Sequence, residues 1–220
     1  MNTKIIVALA SVSIAGLIGF GLFLALKPYK APPRTVPLSA EYQQHLKDGY
    51  WARGNPSPKV TVTVFGDFQC PACHRLEPVL AAAITQTADV SQMQFKHYPL
   101  EQPHDKADKA ALAAEAAGRQ GKFWPMHDLL YGRWDEWNEQ SPLVFDDTLK
   151  SYAKQLGLDA SQFKNDMDDP TTFDVITTNK ASGDTAHLTG TPFVLLNGVL
   201  LDKPALAPEA LAQQFRAVIK

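Results

Sequence analysis

The sequence predicts an α/β domain in which an all-helical segment interrupts a small β-sheet. A run of alternating β-branched residues, Val60 to Val64, is followed by an apolar helical pattern that begins at Leu76. Later in the chain, Asn197-Gly198 is a strong hairpin signal between two short apolar runs. Ala- and Leu-rich stretches with helical spacing fill most of the residues in between. This order indicates a sheet with a helical insert at about 104–187.

The elements can be placed along the chain in order. The helix after the first strand covers about 70–87, and a second strand follows at about 93–99. Glycine and proline breaks then separate five predicted helices, at about 105–119, 122–133, 146–156, 160–167 and 171–187. The hairpin pairs 193–196 with 199–201, and a final helix at 208–219 has one apolar face.

The N-terminal stretch predicts a membrane anchor. Residues 1–4 form a short tail, and the uncharged run Ile5 to Leu26 lies between Lys4 and Lys27. As a helix this run would be about 33 Å long, enough to cross the core of a bilayer. A cleavable signal peptide has a shorter apolar core and a well-placed small-residue site, which favours an uncleaved transmembrane anchor at 5–26.

The anchor predicts where the domain works. The basic residues on its two sides nearly balance, so charge alone does not orient it. A lone N-terminal span usually exports the chain that follows. We therefore expect a single-pass protein of the inner (cytoplasmic) membrane, with its domain on the periplasmic or other extracytoplasmic side.

Residues 27–55 are predicted to be a proline-containing spacer that includes one short helix, from Ser39 to Asp48. Turn residues 54–58 precede the first strand, so the folded domain is placed at 56–220. The spacer leaves no room for a separate dimerisation domain, which predicts a monomer.

Charge excludes one class of partner. The chain of 220 residues has 21 Lys and Arg and 23 Asp and Glu, a net charge of −2. Residues 1–30 contain three lysines and no acidic residue, so the remainder is more acidic still. This balance argues against binding to nucleic acid.

The two cysteines carry the predicted chemistry. Cys70 and Cys73, the only cysteines of the chain, follow the first strand and lie on the first turn of the next helix. At that spacing their sulfurs can form a disulfide. The first sulfur also meets unpaired N–H groups and the positive end of the helix dipole, which favour a thiolate. Pro71 suits the start of a helix. The arrangement predicts thiol–disulfide exchange.

Other interpretations of the motif remain open. Cys70-Pro71-Ala72-Cys73-His74 also fits the haem-attachment pattern, in which His74 would ligate the iron. Structural zinc is disfavoured because no second Cys or His pair lies at ligand spacing. A binding module with an inert disulfide is a third function class. A Soret band would identify the haem protein, and resistance to mild reductant would identify the inert disulfide.

Motifs along the chain resemble those of the DsbA-like thiol:disulfide oxidoreductases of bacteria, especially their membrane-tethered branch. They occur in that family's order from residue 54 to the C-terminus: Gly54-Asn55-Pro56, Gly66-Asp67-Phe68-Gln69-Cys70-Pro71, Gly121-Lys122-Phe123-Trp124, His127-Asp128-Leu129-Leu130, Gly157-Leu158-Asp159, Gly190-Thr191-Pro192 and Asn197-Gly198. The resemblance implies a thioredoxin-like fold with an inserted helical subdomain, and no cofactor beyond the Cys70–Cys73 disulfide.

The resemblance also implies roles for single residues. Cys70 would be the exposed nucleophile and Cys73 the buried resolving sulfur, with Pro71 and Ala72 as the dipeptide between them. Thr191-Pro192 would be a cis peptide that faces the cysteines and binds an extended client segment as an added strand. His74 is a possible auxiliary residue, and no metal ligand is expected.

One position departs from the family pattern. Many relatives carry a buried acid six residues before the first cysteine, where this chain has Val64. The group that moves the proton of Cys73 is therefore an open question. Asp67 is interpreted as a turn residue at the strand end.

The predicted function is exchange of the Cys70–Cys73 disulfide with exported, cysteine-containing clients, as an oxidase. A membrane redox partner would regenerate the pair. A reductase or isomerase of the same fold is the alternative, followed by the haem protein.

Overall fold

A computed structural model describes residue 34 and residues 37–219. The tail at 1–4 and the anchor at 5–26 predicted from the sequence lie outside the described residues. So does the first part of the spacer, at 27–33. None of the helices among the described residues is both long and apolar enough to span a membrane.

A five-stranded sheet forms the centre of the domain. Its order is β1-β3-β2-β4-β5, with β2 parallel to β3 and the other pairs antiparallel. In β2 the residues Val60, Val62 and Val64 are buried and the threonines between them are partly exposed, as period-two alternation predicts. The strands are β1 (Trp51–Gly54), β2 (Val60–Gly66), β3 (Ser91–His97), β4 (Phe193–Leu196) and β5 (Val199–Leu200).

Nine helices of the described part of the chain surround this sheet. The long helix α2 follows β2 and packs against the C-terminal helix, while α3 to α8 form an insert between β3 and β4. The helices are α1 (Ala40–Asp48), α2 (Pro71–Gln86), α3 (Ala107–Arg119), α4 (Phe123–Gly132), α5 (Trp134–Trp137), α6 (Pro142–Gln155), α7 (Ala160–Asp168), α8 (Pro170–Thr185) and α9 (Pro208–Ala217). The expected α/β order with a helical insert is confirmed.

The sheet begins earlier than the sequence analysis expected. The sequence predicts a spacer up to residue 55, but β1 pairs with β3, and Trp51 aligns with Phe95. Trp51 and Tyr42 of α1 are almost completely buried. The strand was missed because four residues are too few to display an alternating pattern. The domain therefore includes α1 and β1, and 56 is not its first residue.

The bounds of two other elements differ from the predictions by two to four residues, and one helix is additional. Strand β3 covers 91–97 instead of 93–99 because Ser91 already pairs with Val60. Helix α6 begins at Pro142, four residues before the predicted start, since proline is well suited to a first helical position. The short helix α5 was not predicted at all.

Helix α3 joins the insert to the sheet through a buried acid. The Glu115 carboxylate accepts a hydrogen bond from the Trp51 indole at 2.7 Å, and His97 Nε2 lies 2.8 Å from it. His45 Nε2 of α1 is 3.3 Å away. Burial opposes ionisation, but the charges and hydrogen bonds of His45 and His97 outweigh it and lower the pKa of Glu115 below its usual range. Helices α1 and α3 are thereby tied to β1 and β3.

Candidate active site

The loop between β2 and α2 places the cysteines at the carboxyl end of the central strand. Cys70 has extended backbone geometry and caps α2, and Pro71 is the first helical residue. No side chain forms a capping hydrogen bond with this helix, and the Ala72 and Cys73 N–H groups interact with the Cys70 sulfur. The helix begins at Pro71, as the sequence predicts, so the two cysteines lie at the start of α2.

Cys70 is held in a setting that favours the thiolate. Its sulfur interacts first with the Cys73 thiol, and also with the Ala72 and Cys73 N–H groups and with Thr191. Burial opposes ionisation, but the interactions prevail and lower the pKa of Cys70 to about 5. As a thiol, Cys70 donates to the Thr191 carbonyl oxygen at 3.3 Å. That bond favours the neutral form, but the donors around the sulfur outweigh it.

Both cysteines are buried, so the exposed position that the resemblance implies for Cys70 is not observed. Cys73 differs from Cys70 in its pKa. Burial and the adjacent Cys70 sulfur raise the pKa of the Cys73 thiol well above its usual value. At neutral pH the reduced pair therefore holds one thiolate, on Cys70, and one thiol, on Cys73. This asymmetry is what a nucleophile and a resolving cysteine require.

The Thr191–Pro192 segment lies beside the cysteines although it is 121 residues away from Cys70 in sequence. The peptide bond is cis, as the resemblance implies. The Thr191 hydroxyl is buried and has no hydrogen-bond partner among the described residues. Thr191 lowers the pKa of both cysteines. Its role in binding a client strand stays a prediction.

His74 of α2 contacts residues of α4 and α5. Its ring stacks on Trp134 at 5.0 Å between centroids, and its Nδ1 lies 3.0 Å from the Tyr131 carbonyl oxygen. The Trp134 indole in turn donates to the Gln69 carbonyl at 3.1 Å. His74 and Trp134 together brace the loop that carries the cysteines, an arrangement that the sequence did not reveal.

Asp67 and Val64 lie at the end of β2 and within it, close in sequence to the cysteines. Asp67 is buried and accepts from the Gln69 and Leu100 N–H groups at 2.7 and 3.0 Å, and His104 Nδ1 lies 2.6 Å from it. Its interpretation as a turn residue is confirmed. Val64 is buried in the middle of β2, between Phe95 and Val194. It supplies no proton acceptor.

A groove of about 520 Å³ runs beside the first cysteine. Gln69 fixes one wall, because its side chain accepts from the Lys106 N–H at 2.6 Å and donates to Asp105 at 2.9 Å. The groove is polar, and its lining comprises Gln69, Pro71, Pro103, His104, Asp105, Lys106, Asn138, Glu139 and Gln140.

Among the residues that the structure describes, one group of side chains has ligand atoms close enough to hold a metal ion. Glu77, His127 and Asp128 bring such atoms within 4.8 Å of one another. Arg53 already contacts Glu77 at 3.0 Å and Asp128 at 2.9 Å. Because its guanidinium neutralises both carboxylates, the donor set does not fit a cation.

Comparison with known proteins agrees with this geometry. A family profile described as Thioredoxin matches residues 47–215. The chain belongs to the thioredoxin family. The match begins before residue 56, consistent with the folded α1–β1 segment.

Among solved structures, a thioredoxin-like oxidoreductase from Silicibacter pomeroyi DSS-3 is 26% identical, covers 77% of this chain and 92% of its own, and has a TM-score of 0.63. BdbD from Bacillus subtilis in its oxidised form is 18% identical over 83% and 95% of the two chains, with a TM-score of 0.64. MdbA, a thiol-disulfide oxidoreductase from Actinomyces oris, is 15% identical over 77% and 88%, with a TM-score of 0.63. The last two comparisons show the shared fold.

Curated relatives are larger proteins. Na(+)/H(+) antiporter NhaA 1 of Salinispora arenicola is 36% identical over 146 residues, which are 66% of this chain and 21% of that protein. NhaA 1 of Mycolicibacterium gilvum is 29% identical over 200 residues, 86% of this chain and 30% of that protein. The chain thus spans about a fifth to a third of these relatives.

The resemblance read from the motifs is therefore confirmed. This thioredoxin-family chain has the fold of the DsbA-type thiol–disulfide oxidoreductases. Thioredoxin-fold oxidoreductases of this type use their cysteine pair and need no further cofactor. Sequence analysis found both cysteines but missed the contact of Trp134 with His74. These two residues are far apart in sequence, so no local pattern indicates that they meet.

Proposed function

We propose that this protein donates its Cys70–Cys73 disulfide to exported proteins as an oxidase. The observation that carries the proposal is the position of the Cys70 sulfur at the start of α2, beside Cys73 and 3.3 Å from the Thr191 carbonyl oxygen. Its surroundings lower the pKa of Cys70 to about 5, whereas burial raises the pKa of Cys73. A thiolate that is stabilised in the reduced protein makes the corresponding disulfide a stronger oxidant.

The reaction transfers two electrons in two exchange steps. A client thiolate attacks the Cys70 sulfur, the Cys70–Cys73 bond breaks, and Cys73 leaves and takes up a proton. A second client thiolate then attacks the client sulfur of the mixed disulfide. Cys70 leaves as the stabilised thiolate, and the client keeps the new disulfide. A membrane redox partner reoxidises the pair.

The Thr191–Pro192 segment is proposed as the platform for the client. The Thr191 carbonyl oxygen lies 3.3 Å from the Cys70 sulfur, so an extended client segment paired there would bring its own sulfur to the reacting atom. The polar groove beside Pro71 supports recognition of clients with polar or charged neighbours around the cysteine.

Trapping of mixed disulfides tests the roles of the two cysteines. Cys73→Ser removes the resolving sulfur, and it should accumulate mixed disulfides between Cys70 and clients in cells. Cys70→Ser is the matched control and should trap none. Equal trapping by both variants would contradict the assignment.

The reduction potential tests the direction of exchange. If the protein is an oxidase, the reduction potential of its Cys70–Cys73 pair should lie between about −120 mV, the DsbA value, and about −180 mV, the isomerase-like value. Equilibration of the described domain with glutathione buffers measures it. A potential near about −270 mV, as in thioredoxin, would instead identify a reductase.

The proposed location is the outer face of the cytoplasmic membrane, with residues 5–26 as an anchor. The length and apolar character of that run support it, as does the similarity to segments of proteins named as Na(+)/H(+) antiporters. Protease added to spheroplasts should degrade the domain, and protection of the domain from protease would contradict this orientation.

A further inference from the structure

The loop that carries the reactive sulfur is held by residues far away in the sequence. Cys70 has extended backbone geometry at the cap of α2, and its sulfur interacts with the Ala72 and Cys73 N–H groups. A cap residue lies only half inside its helix, so the helix alone does not fix it. The position of Cys70 therefore depends on how the preceding residue, Gln69, is held.

Gln69 is bound at every one of its polar groups. It is only 6% exposed. Its backbone N–H donates to Asp67 Oδ1 at 2.7 Å, and its carbonyl accepts from the Trp134 indole at 3.1 Å. Its side chain accepts from the Lys106 N–H at 2.6 Å and donates to Asp105 at 2.9 Å. Three of these four partners belong to the insert or to the loop that leads into it.

Trp134 also contacts the other end of the cysteine motif. Its ring stacks on His74, the residue after Cys73, with centroids 5.0 Å apart and the ring planes at 14°. The His74 N–H in turn donates to the Cys70 carbonyl at 3.0 Å. One side chain of the insert thus contacts both residues that flank the Cys70–Cys73 segment.

Trp134 itself has a defined place. It is the first residue of α5, is partly buried and packs against the hydrophobic core. Trp137, at the end of the same short helix, is completely buried and donates to the Leu130 carbonyl of α4 at 2.8 Å. Helix α5 is thereby held against α4, and the Trp134 N–H is presented to the loop in a fixed direction.

The bond to the Gln69 carbonyl reaches Cys70 through a rigid unit. The Gln69 C=O and the Cys70 N–H belong to one peptide plane. Trp134 binds the oxygen of that plane, and the Cys70 N–H on its other side donates to the Asp67 carbonyl at 3.2 Å. With both sides bound, the plane cannot turn, and the Cα and side chain of Cys70 start from a fixed point.

We propose that Trp134 is a positioning residue for disulfide exchange and acts through the Gln69 carbonyl to hold Cys70 at the start of α2. It takes no part in bond making or bond breaking. It keeps the Cys70 sulfur close to the first N–H groups of the helix, which stabilise the thiolate. This role rests on the proposed function, in which Cys70 is the reacting sulfur.

Trp134→Phe tests the proposal with glutathione as the probe. Phenylalanine keeps an aromatic ring beside His74 but removes the N–H that binds the Gln69 carbonyl. The protein is equilibrated with reduced and oxidised glutathione at neutral pH and quenched in acid, and its oxidised fraction is measured. The equilibrium constant should move about two- to tenfold in favour of the oxidised protein, as loss of one hydrogen bond to the reduced form predicts.

A second variant releases the same residue at its side chain. Gln69→Met is similar in length but cannot bind Lys106 or Asp105, and it should shift the glutathione equilibrium in the same direction. Alkylation by iodoacetamide follows Cys70 itself. In both variants its pH dependence should move to higher pH, by up to about one unit, because the thiolate is less stabilised.

Trp124→Phe is the matched control for loss of an indole N–H. The Trp124 indole also joins the insert to the rest of the domain, but it donates to the Ala52 carbonyl of β1 at 2.9 Å. Its loss should lower the urea concentration at the unfolding midpoint and leave the glutathione equilibrium unchanged. A loss of stability that is equal in oxidised and reduced protein cannot shift the balance between them.

The outcomes are distinguishable. If the wild type does not exchange with glutathione, the proposed function fails, and the role of Trp134 fails with it. If the wild type exchanges, and Trp134→Phe and Gln69→Met share its equilibrium constant and pH dependence, positioning through Gln69 is overturned. A shift in Trp124→Phe as large as that in Trp134→Phe would also overturn it. Should Trp134→Phe fail to fold, an unchanged equilibrium constant in Gln69→Met is sufficient to overturn it.

Discussion

The Thr191 side chain is one of the groups that lower the pKa of Cys70. Its hydroxyl is buried beside the two sulfurs and has no competing partner among the described residues, so it is available to donate to a thiolate. A hydrogen bond to a charged group contributes about 1.5–3 kcal/mol. That range corresponds to roughly one to two pKa units.

Thr191→Val should therefore raise the pKa of Cys70 above about 5 by roughly one unit. The variant has the same shape but lacks the donor, so the protein should also become less oxidising. Alkylation of Cys70 by iodoacetamide as a function of pH measures the change. Thr191→Ser keeps the hydroxyl and should behave like the wild type. A rise of equal size in both variants would show that the methyl group, not the hydroxyl, sets the pKa.

The low pKa of Cys70 also predicts how the reduction potential depends on pH. Below about pH 5 both thiols of the reduced form are protonated, and two protons accompany two electrons, which gives about 59 mV per pH unit. Above that pH only Cys73 binds a proton, and the slope falls to about 30 mV per unit. Glutathione or dithiol equilibria from pH 4 to 8 should show the break. A break near about 8.5, the value for a free cysteine, would contradict the stabilised thiolate.

At the scale of elements, the packing of α3 on β1 depends on one glycine. A Cβ on Gly118 would lie 2.4 Å from Trp51 Cζ2. The indole cannot move aside, because it stacks on Phe123 at 4.2 Å and on His45 at 4.3 Å, and its N–H is bound to Glu115. The helix and the strand therefore approach each other only where the side chain is absent.

Gly118→Ala should destabilise the domain by about 1–3 kcal/mol, the usual cost of overpacking. A loss of stability would be informative, because alanine in a helix interior normally raises the free energy of unfolding by about 0.5–1 kcal/mol relative to glycine. Urea unfolding measures the difference. Gly132→Ala is the matched control, since nothing lies within 4 Å of its added Cβ, and it should be neutral or stabilising. Equal effects of the two substitutions would contradict the close α3–β1 contact.

For the whole molecule, local signals predicted most of the elements and the cysteine pair. Alternation identified β2, Asn197-Gly198 identified the hairpin, and the Cys70–Cys73 spacing identified the start of α2. What could not be predicted depends on residues distant in sequence. Glu115 meets Trp51 only after α3 packs on the sheet, and a four-residue strand such as β1 is defined by its partner β3. The position of Thr191 beside Cys70 was available only through the resemblance.

The contacts of α1 and β1 with the rest of the domain predict where the chain can be shortened. A chain of residues 34–220 keeps α1 and β1 and should unfold cooperatively. A chain of residues 56–220 loses Tyr42 and Trp51, which are 1% and 0% exposed, and leaves the buried Glu115 without the Trp51 donor. Removal of one large buried aromatic side chain costs about 3–5 kcal/mol. Two such losses approach or exceed the total stability of a typical domain, about 5–15 kcal/mol.

Urea unfolding followed by far-UV circular dichroism compares the two chains. The 34–220 chain should show a cooperative transition and keep the reactive Cys70, whereas the 56–220 chain should lack a cooperative transition. Loss of β1 would also expose the edge of β3 next to Phe95, the partner of Trp51 in the sheet, so aggregation is expected. If both chains unfold at the same urea concentration, β1 and α1 are accessory to the fold, and the catalytic unit begins at β2 as the sequence alone predicted.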